Sequence, residues 1–505
     1  MMELKSDNNE LIKYLNSLSD KIDPRKGRVA IILAAGHGKR IKSERSKMLH
    51  EIWGVPTVVR VANAARKGLS SDNQIIVVGI KAREVAESAG KKANRTFVYQ
   101  YEQKGTGHAV KEALSALTQN GRVIDIYIFP GDMGLITPTV VKELKQRFEK
   151  SACGLALLTG NYKGEPEENS YGRIVRVPAM TEDNEPAGDD EGRVIEIKEH
   201  KDILAIPKNK YYVITYNGKR YRFTRDELLN IAEYNTGIYA MKYELASQFI
   251  NQLTPNNVQG EFYLTDIIGL FNANKIDVEA YPVEDEDAVI GFNVKSVLQE
   301  MENIARRKVW LILRDIIFIE DEDDFFIADE VVAQIVKMDK ADPPLDIEID
   351  KGVYLSSGVR LERGVKIGAG SVLKGNIHLG EGTLIQENVS LSTYPDQQMR
   401  IGKNCVIMRG DLIKGNITVG DNTSIESSVI MTGSNEFPTR IGKNAVIKGT
   451  TYIFGSIVED DLFIEHSVLK CKHVERTIRK DGKIQSVRWV MPQPQGLDIV
   501  KDLKD

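Results

Sequence analysis

Two apolar patterns divide the chain. In the first three hundred residues, short continuous runs of strand type at 29–33, 75–78, 96–99 and 124–129 alternate with stretches such as 56–67 and 108–118, whose apolar residues recur on one helical face. Runs with no polar alternation imply strands buried on both sides, and hence a doubly wound α/β sheet with helices on each face. Ligands of such sheets sit at the carboxyl ends of the strands. Ahead of them, Leu11, Ile12, Leu15, Leu18 and Ile22 form a helical stripe that stops before Pro24 and predicts a packing helix over 8–22.

Beyond residue 346 the period changes. Ile367-Gly368, Leu379-Gly380, Ile401-Gly402, Val419-Gly420 and Ile441-Gly442 put an aliphatic residue before each glycine, at spacings of 12, 22, 18 and 22. These are multiples of six with four residues added twice. Three six-residue strands make one eighteen-residue triangular coil, so the pattern predicts a left-handed parallel β-helix of hexapeptide type. Self-similarity supports it: 399–407 matches 439–447, and 374–377 matches 414–417, both at an offset of 40. The added residues fall at Tyr394-Pro395-Asp396-Gln397 and Asn435-Glu436-Phe437-Pro438, both loop-like. The pattern frays over 452–469, and a polar hairpin and tail follow Val474.

Composition narrows the class. The 505 residues carry 72 acidic and 68 basic side chains, a net charge of −4, which points to neither a nucleic-acid nor a membrane-surface protein. Cys153, Cys405 and Cys471 lack metal spacing and read as reduced thiols without a disulfide. No apolar run reaches bilayer length and no signal segment opens the chain, so a cytoplasmic protein is expected.

Candidate chemistry gathers at the strand ends. The first run leads into Leu33-Ala34-Ala35-Gly36-His37-Gly38-Lys39-Arg40, with Lys47 beyond; small residues there let backbone N–H groups close on a polyphosphate. Position 41 is isoleucine, so the segment is not a G-x-G-x-x-G loop, and no Gly-Lys-Ser/Thr follows. In 99–109, Gln100 offers an amide for a pyrimidine edge and Gly105 and Gly107 permit close approach, although a polar turn opening a helix would read the same way. Asp132, directly after Pro130-Gly131, suits Mg²⁺ or a turn. His37, His50, His108 and His200 lie near these segments without a required role.

Leu-Ala-Ala-Gly-x-Gly-x-Arg with a lysine seven residues on resembles the entry motif of sugar-1-phosphate nucleotidylyltransferases, and the further segments resemble the bacterial N-acetylglucosamine-1-phosphate uridylyltransferases. The resemblance implies a Rossmann-like nucleotidylyltransferase domain over 28–300, preceded by a helical extension over 1–27. A connector over 301–345, the β-helix over 346–474 and a tail over 475–505 follow. It implies UTP and a sugar-1-phosphate as substrates and Mg²⁺ as cofactor. Catalytic roles fall on Arg40 and Lys47, nucleotide contacts on Leu33, Ala34, Ala35, Gly36, Gly38, Gln100, Gly105 and Thr106, and metal ligation on Asp132 and Asn293 of Gly291-Phe292-Asn293-Val294. Tyr171-Gly172-Arg173-Ile174, Glu199-His200-Lys201-Asp202, Asn235-Thr236-Gly237 and 260–266 resemble sugar-binding segments, giving Gly172, Glu199, Asn235, Tyr263 and Thr265.

Three departures modify the expectation. Ser46 stands where the family usually has proline, so the lysine loop is expected to be less rigid. The stretch between Asp202 and Asn235 is long and contains two strand-like runs across Asn217-Gly218, a hairpin signal; with the acidic loop 180–192 it is expected to reshape the sugar pocket. The family's acetyl-transfer motifs are absent from the repeat region, where a scaffold or trimerising role is expected instead. Other sugars or bases, a bifunctional enzyme and a non-catalytic nucleotide-sugar sensor are the competing readings; a sensor would have no need of a metal ligand.

Overall fold

A computed structural model describes residues 2–36, 38–117 and 125–492, and the chain divides into two compact units, Met1–Glu302 and Asn303–Asp505. His37, Ile124 of the fourth strand-like run, residue 118 of the second helical stretch and 493–505 of the expected tail lie outside the described residues.

The first unit is built on β1 (Arg28–Ala34), β2 (Gln74–Val78), β3 (Arg95–Tyr99), β4 (Asp125–Pro130), β5 (Leu155–Asn161), β6 (Glu233–Lys242) and β7 (Val278–Pro282), in the order β7-β5-β6-β4-β1-β2-β3. The pleat of β1 sends Val29 and Ile31 into one core and Ala30, Ile32 and Ala34 into another, on opposite faces. Thr57–Leu69, Ala82–Ala89 and Pro138–Lys150 cover one face; Thr106–Ser115, Tyr243–Phe249 and Ile267–Ala273 cover the other. Each fully buried Ile or Val contributes about 1.5–3 kcal/mol, which is why both faces read as apolar.

Two features differ from the pattern. β6 runs antiparallel to β4 and β5, so the sheet is mixed. The chain leaves β5 at its carboxyl end, makes an excursion over 162–232 and re-enters from that edge, which forces the reversal. The first helix spans Met2–Leu18 rather than reaching Ile22. It stops because Ser19 and Asp20 turn to β3: the Ser19 hydroxyl accepts from the Phe97 N–H at 3.0 Å, and the Asp20 N–H donates to the Arg95 carbonyl at 2.6 Å.

The excursion has its own small core of Val175, Val177, Ala187, Ile195, Ile203, Tyr216, Tyr221 and Leu228. Its expected hairpin is present as Tyr212–Tyr216 paired with Lys219–Phe223. Asn217 (φ 46°) and Gly218 (φ 79°) supply the two left-handed residues of the turn.

The second unit is a left-handed parallel β-helix with sheets of nine, eight and seven strands among the described residues. Ile349, Ile367, Ile385, Ile407, Ile425, Ile447 and Ile464 stack in register, all essentially buried. Their spacings are eighteen residues, twenty-two where the loops at 394–397 and 435–438 enter, and seventeen at the last step; the loops touch through the Asn435 amide and Asp396, 2.6 Å apart. The ladders begin earlier than residue 346. Phe318–Ile319 pairs with Glu348–Ile349, and Phe325–Ile327 with Val353–Leu355. The intervening helix Asp329–Ala341 breaks the period, which hid this first coil. At the other end Ile457 still pairs with His473, in shortened coils.

Candidate active site

The carboxyl ends of β1 and β4 lie side by side. The Gly131 N–H donates to the Leu33 carbonyl at 2.9 Å, and a Cβ on Gly131 would meet that oxygen at 2.9 Å, so only glycine lets the two loops touch. This closeness delivers Asp132 to the loop after β1. There Gly38, at φ 59°, lies against the stem of Lys47. The lysine loop is better anchored than Ser46 led one to expect. Ser46 is buried and caps the 3-10 turn Lys47–Leu49, its hydroxyl accepting from the Met48 N–H at 3.4 Å, while the Thr57 hydroxyl donates to the Met48 carbonyl at 3.1 Å.

Lys47 is almost wholly buried, with 8% of its surface exposed. Its ammonium pairs with the Asp132 carboxylate, donates to Asn293 Oδ1 at 2.9 Å and lies 5.4 Å from the centre of the Phe292 ring. Residues 47, 132 and 293 therefore converge on one point. Gly291 stands clear of the Asp132 carboxylate, where its missing Cβ would come within 3.3 Å of Oδ2.

Asp132 and Asn293 thus present two hard oxygens close enough to share one cation, here the lysine's own. That donor pair fits Mg²⁺, which takes one or two protein oxygens and completes its shell with phosphates and water. Among the described residues no group of three or more His, Cys, Asp or Glu is gathered for a metal.

Beside this point opens a cavity of about 740 Å³ lined by Leu33, Ala35, Gly36, Gln100, Gly105, Thr106, Asp132, Glu199, Asn235 and Thr265, ten of the residues expected from the sequence. Gln103, Glu261, Gly237 and Tyr239 join them. Gln103 and Glu261 sit inside the motifs read from the sequence. Tyr239 carries no motif signal, and its hydroxyl donates to Asn235 Oδ1 at 3.0 Å, fixing that amide.

The segment 100–107 is clamped rather than free. The Gln100 amide donates to the Gly105 carbonyl at 3.2 Å, and the Gly107 N–H donates to the Phe262 carbonyl at 2.8 Å. Gly105 (φ 105°) passes so near Phe262 that a Cβ would lie 2.6 Å from its carbonyl oxygen. Opposite, Thr265 approaches Glu199 at 3.4 Å; burial pushes the Glu199 carboxyl up to about 7, and Asp202, Asp266 and Glu261 add to the shift.

The remaining expected residues stand elsewhere. Ala34 points into the core below the sheet, because the pleat alternates. Gly172 lies under Glu199, where a Cβ would meet Oε1 at 3.2 Å. Tyr263 is buried, its hydroxyl accepting from the Gln259 amide at 2.7 Å. Arg40 is exposed and lines an adjoining cavity of about 480 Å³ with Ser170, Glu199, His200, Lys201 and Gln259. His50 packs edge-on against Phe292, and His108 contacts the Gln100 amide and Glu112. The hairpin and the acidic loop 180–192 do not line the 740 Å³ cavity, contrary to expectation; the excursion's own core holds them away from it.

Residues 30–193 match the MobA-like NTP transferase domain. The chain is also 31% identical over 312 residues to the bifunctional protein GlmU of Shouchella clausii and 33% identical over 305 residues to that of Acetivibrio thermocellus. These matches cover 61% and 60% of this chain, and the chain spans 59% and 57% of the relatives' lengths. A solved UDP-glucose pyrophosphorylase bound to UDP-glucose aligns with 56% of this chain and 99% of its own, at 16% identity and a TM-score of 0.38. The chain is similar to GlmU over about three-fifths of its length. The domain match supports a nucleotidyltransferase. Among the described residues no helix is long and apolar enough to cross a membrane.

Proposed function

We propose that the first unit transfers UMP from UTP to N-acetylglucosamine-1-phosphate, giving UDP-N-acetylglucosamine and pyrophosphate in the cytoplasm. The observation that carries this reading is the convergence of Lys47, Asp132 and Asn293 at the edge of a cavity lined by the loop after β1, Gln100 and the pair Glu199–Thr265.

The sugar-phosphate oxygen is already anionic near neutral pH, so attack on the α-phosphate needs alignment and charge neutralisation rather than a general base. Lys47 would carry the developing charge on the phosphate. Arg40, on the exposed rim beside the Glu199 face, would hold the outgoing or incoming phosphate. Mg²⁺ held by Asp132 and Asn293 would supply further charge neutralisation. Backbone N–H groups at Ala35, Gly36 and Gly38 would bind the nucleotide, and Gln100, Gly105 and Thr106 the uracil edge. Glu199, Asn235 and Thr265 face the sugar, with Gly172 and Tyr263 supporting them. The β-helix carries no acetyl-transfer motif; we assign it a scaffold role with the capacity to trimerise.

Pyrophosphate release with UTP, Mg²⁺ and either N-acetylglucosamine-1-phosphate or glucose-1-phosphate tests the assignment. Selective release with the N-acetylated sugar is expected. Selective release with glucose-1-phosphate would transfer the reading to a sister activity, and release with neither would favour a nucleotide-sugar sensor.

A further inference from the structure

Three groups enclose the ammonium of Lys47. The Asp132 carboxylate pairs with it, Asn293 Oδ1 accepts from it at 2.9 Å, and the centre of the Phe292 ring lies 5.4 Å away. Phe292 is fully buried, and the side chains of Lys47 and Asp132 are largely so. Behind Phe292 the His50 ring packs edge-on, with centroids 6.0 Å apart, and closes that side. An ammonium carries three donors and no acceptor, so a pocket of one anion, one amide oxygen and one ring face suits it.

The same two oxygens are the pair that fits Mg²⁺. A divalent ion of that size touches its oxygens at about 2.0–2.1 Å. The ammonium stands 2.9 Å from Asn293 Oδ1 while also on Asp132, so an ion sharing both oxygens needs the space that the ammonium fills. Like charges in so buried a place are screened little. One cation therefore has to leave before the other enters.

The lysine can leave by its head alone. Its backbone is fixed, because Ser46 caps the turn Lys47–Leu49 and the Met48 carbonyl accepts from the Thr57 hydroxyl at 3.1 Å. Its stem runs beside Gly38, where a Cβ would lie 2.9 Å from Lys47 Cβ and 3.7 Å from Cδ. Met48, Asp132 and Gly36 all line the 740 Å³ cavity next to it. Rotation of the flexible four-carbon stem moves the ammonium off Asp132 and leaves the turn intact. Only another anion, placed in that cavity, replaces the carboxylate as its partner.

We propose that Lys47 is a counter-ion that keeps free divalent cations off the Asp132–Asn293 pair, and that it yields the pair only to a ligand whose phosphates take over its ammonium. Metal and nucleotide then bind together, each raising the other's affinity by the same factor. The exclusion stands on the contacts above and needs no turnover. The hand-over to phosphate rests on the activity proposed above.

Water-proton relaxation with Mn²⁺ as the probe reads metal on the full chain without catalysis, since slow tumbling separates protein-bound Mn²⁺ from the ion free or on a nucleotide. Wild type should show no saturable enhancement with Mn²⁺ alone and should gain it with α,β-methylene-UTP, whose bridging carbon blocks transfer. Lys47→Met keeps a stem against Gly38 and removes the charge. It should bind Mn²⁺ alone at least about tenfold more tightly than wild type, within the range of ordinary site coupling. The double variant Lys47→Met, Asp132→Asn should lose that gain. Arg45→Met removes a nearby charge that pairs with Glu51 instead, and should stay within about twofold of wild type. Saturable Mn²⁺ binding by wild type that the analogue does not strengthen overturns the exclusion, and this is read on the unmodified chain, whatever the folding of the variants. A smaller gain in Lys47→Met, a gain kept in the double variant or an equal gain in Arg45→Met overturns it as well. If the exclusion holds and the analogue brings no enhancement, the hand-over and the nucleotide reading fall and the exclusion stands.

Discussion

The β-helix and the ligand edge of the α/β unit treat buried polar groups in opposite ways. In the solenoid two buried threonines are answered one coil away by the same device: the Thr383 hydroxyl donates to the Gly402 carbonyl and the Thr423 hydroxyl to the Gly442 carbonyl, both at 2.8 Å. At the ligand edge the central group is answered by a residue far away in sequence, as Lys47 is by Asn293. Repetition makes the solenoid tolerant of average substitutions and sensitive at singular positions. Convergence makes the ligand edge dependent on every contributor.

The contrast is sharpest in catalysis. Lys47→Ala removes the cation shared by Asp132 and Asn293, and the rate of pyrophosphate release should fall about 10²–10³-fold, as when one preorganised stabilising group is deleted. Loss of less than tenfold would mean that the convergence is structural only.

Gly415→Ala is the corresponding singular point of the solenoid. The residue sits at φ 105°, and a Cβ would lie 1.9 Å from the Gly433 carbonyl oxygen. Strain and overpacking together should cost about 2–4 kcal/mol, read as a lowered urea midpoint for the β-helix. A neighbouring outward change, Thr418→Ala, should stay within about 0.5 kcal/mol.

Asp411 breaks the repetition in another way. It occupies a buried turn position that is valine one coil earlier and one coil later (Val389, Val429), and burial pushes its carboxyl up to about 8. Its folded pKa lies above the ordinary value of 3.8, so the unfolded chain releases the proton first as pH rises. The stability it contributes is complete below about pH 4 and falls through the interval to about pH 8 by up to about 1.4 kcal/mol per unit, then levels off. Asp411→Asn keeps the acceptor for the Val429 N–H, bonded at 2.8 Å, and should flatten that fall in urea titrations at pH 5 and pH 8. Equal slopes for wild type and variant would contradict the assignment.

The smallest expected effect is at Ser46. Ser46→Ala loses the cap on the lysine turn and should cost about 1 kcal/mol in stability. A larger fall in kcat than in stability would show that the cap positions Lys47.

These regions also differ in what the sequence discloses. The Ile-Gly period repeats one environment, so coil length, loop sites and the isoleucine stack could be read directly; only the first coil was hidden, by the helix Asp329–Ala341. In the α/β unit the apolar runs located β1 to β4, but the reversal of β6 depends on where the 162–232 excursion returns, which no local pattern records. The same holds at the site. Glycines in the motifs marked places of close backbone approach, as at Gly105 and Gly131. Tyr239 was invisible because its hydrogen bond to Asn235 reaches along a strand that otherwise reads as core. The hairpin's turn was legible from Asn-Gly alone.

The most direct test of the shared Lys47–Asp132–Asn293 point is the Mg²⁺ dependence of pyrophosphate release in wild type and Asn293→Ala. The expected result is an absolute requirement for Mg²⁺ in the wild type and at least a tenfold higher Mg²⁺ concentration for half-maximal rate in the variant. An unchanged Mg²⁺ dependence would contradict the assignment of Asn293 and, with it, the convergence on which the proposed chemistry stands.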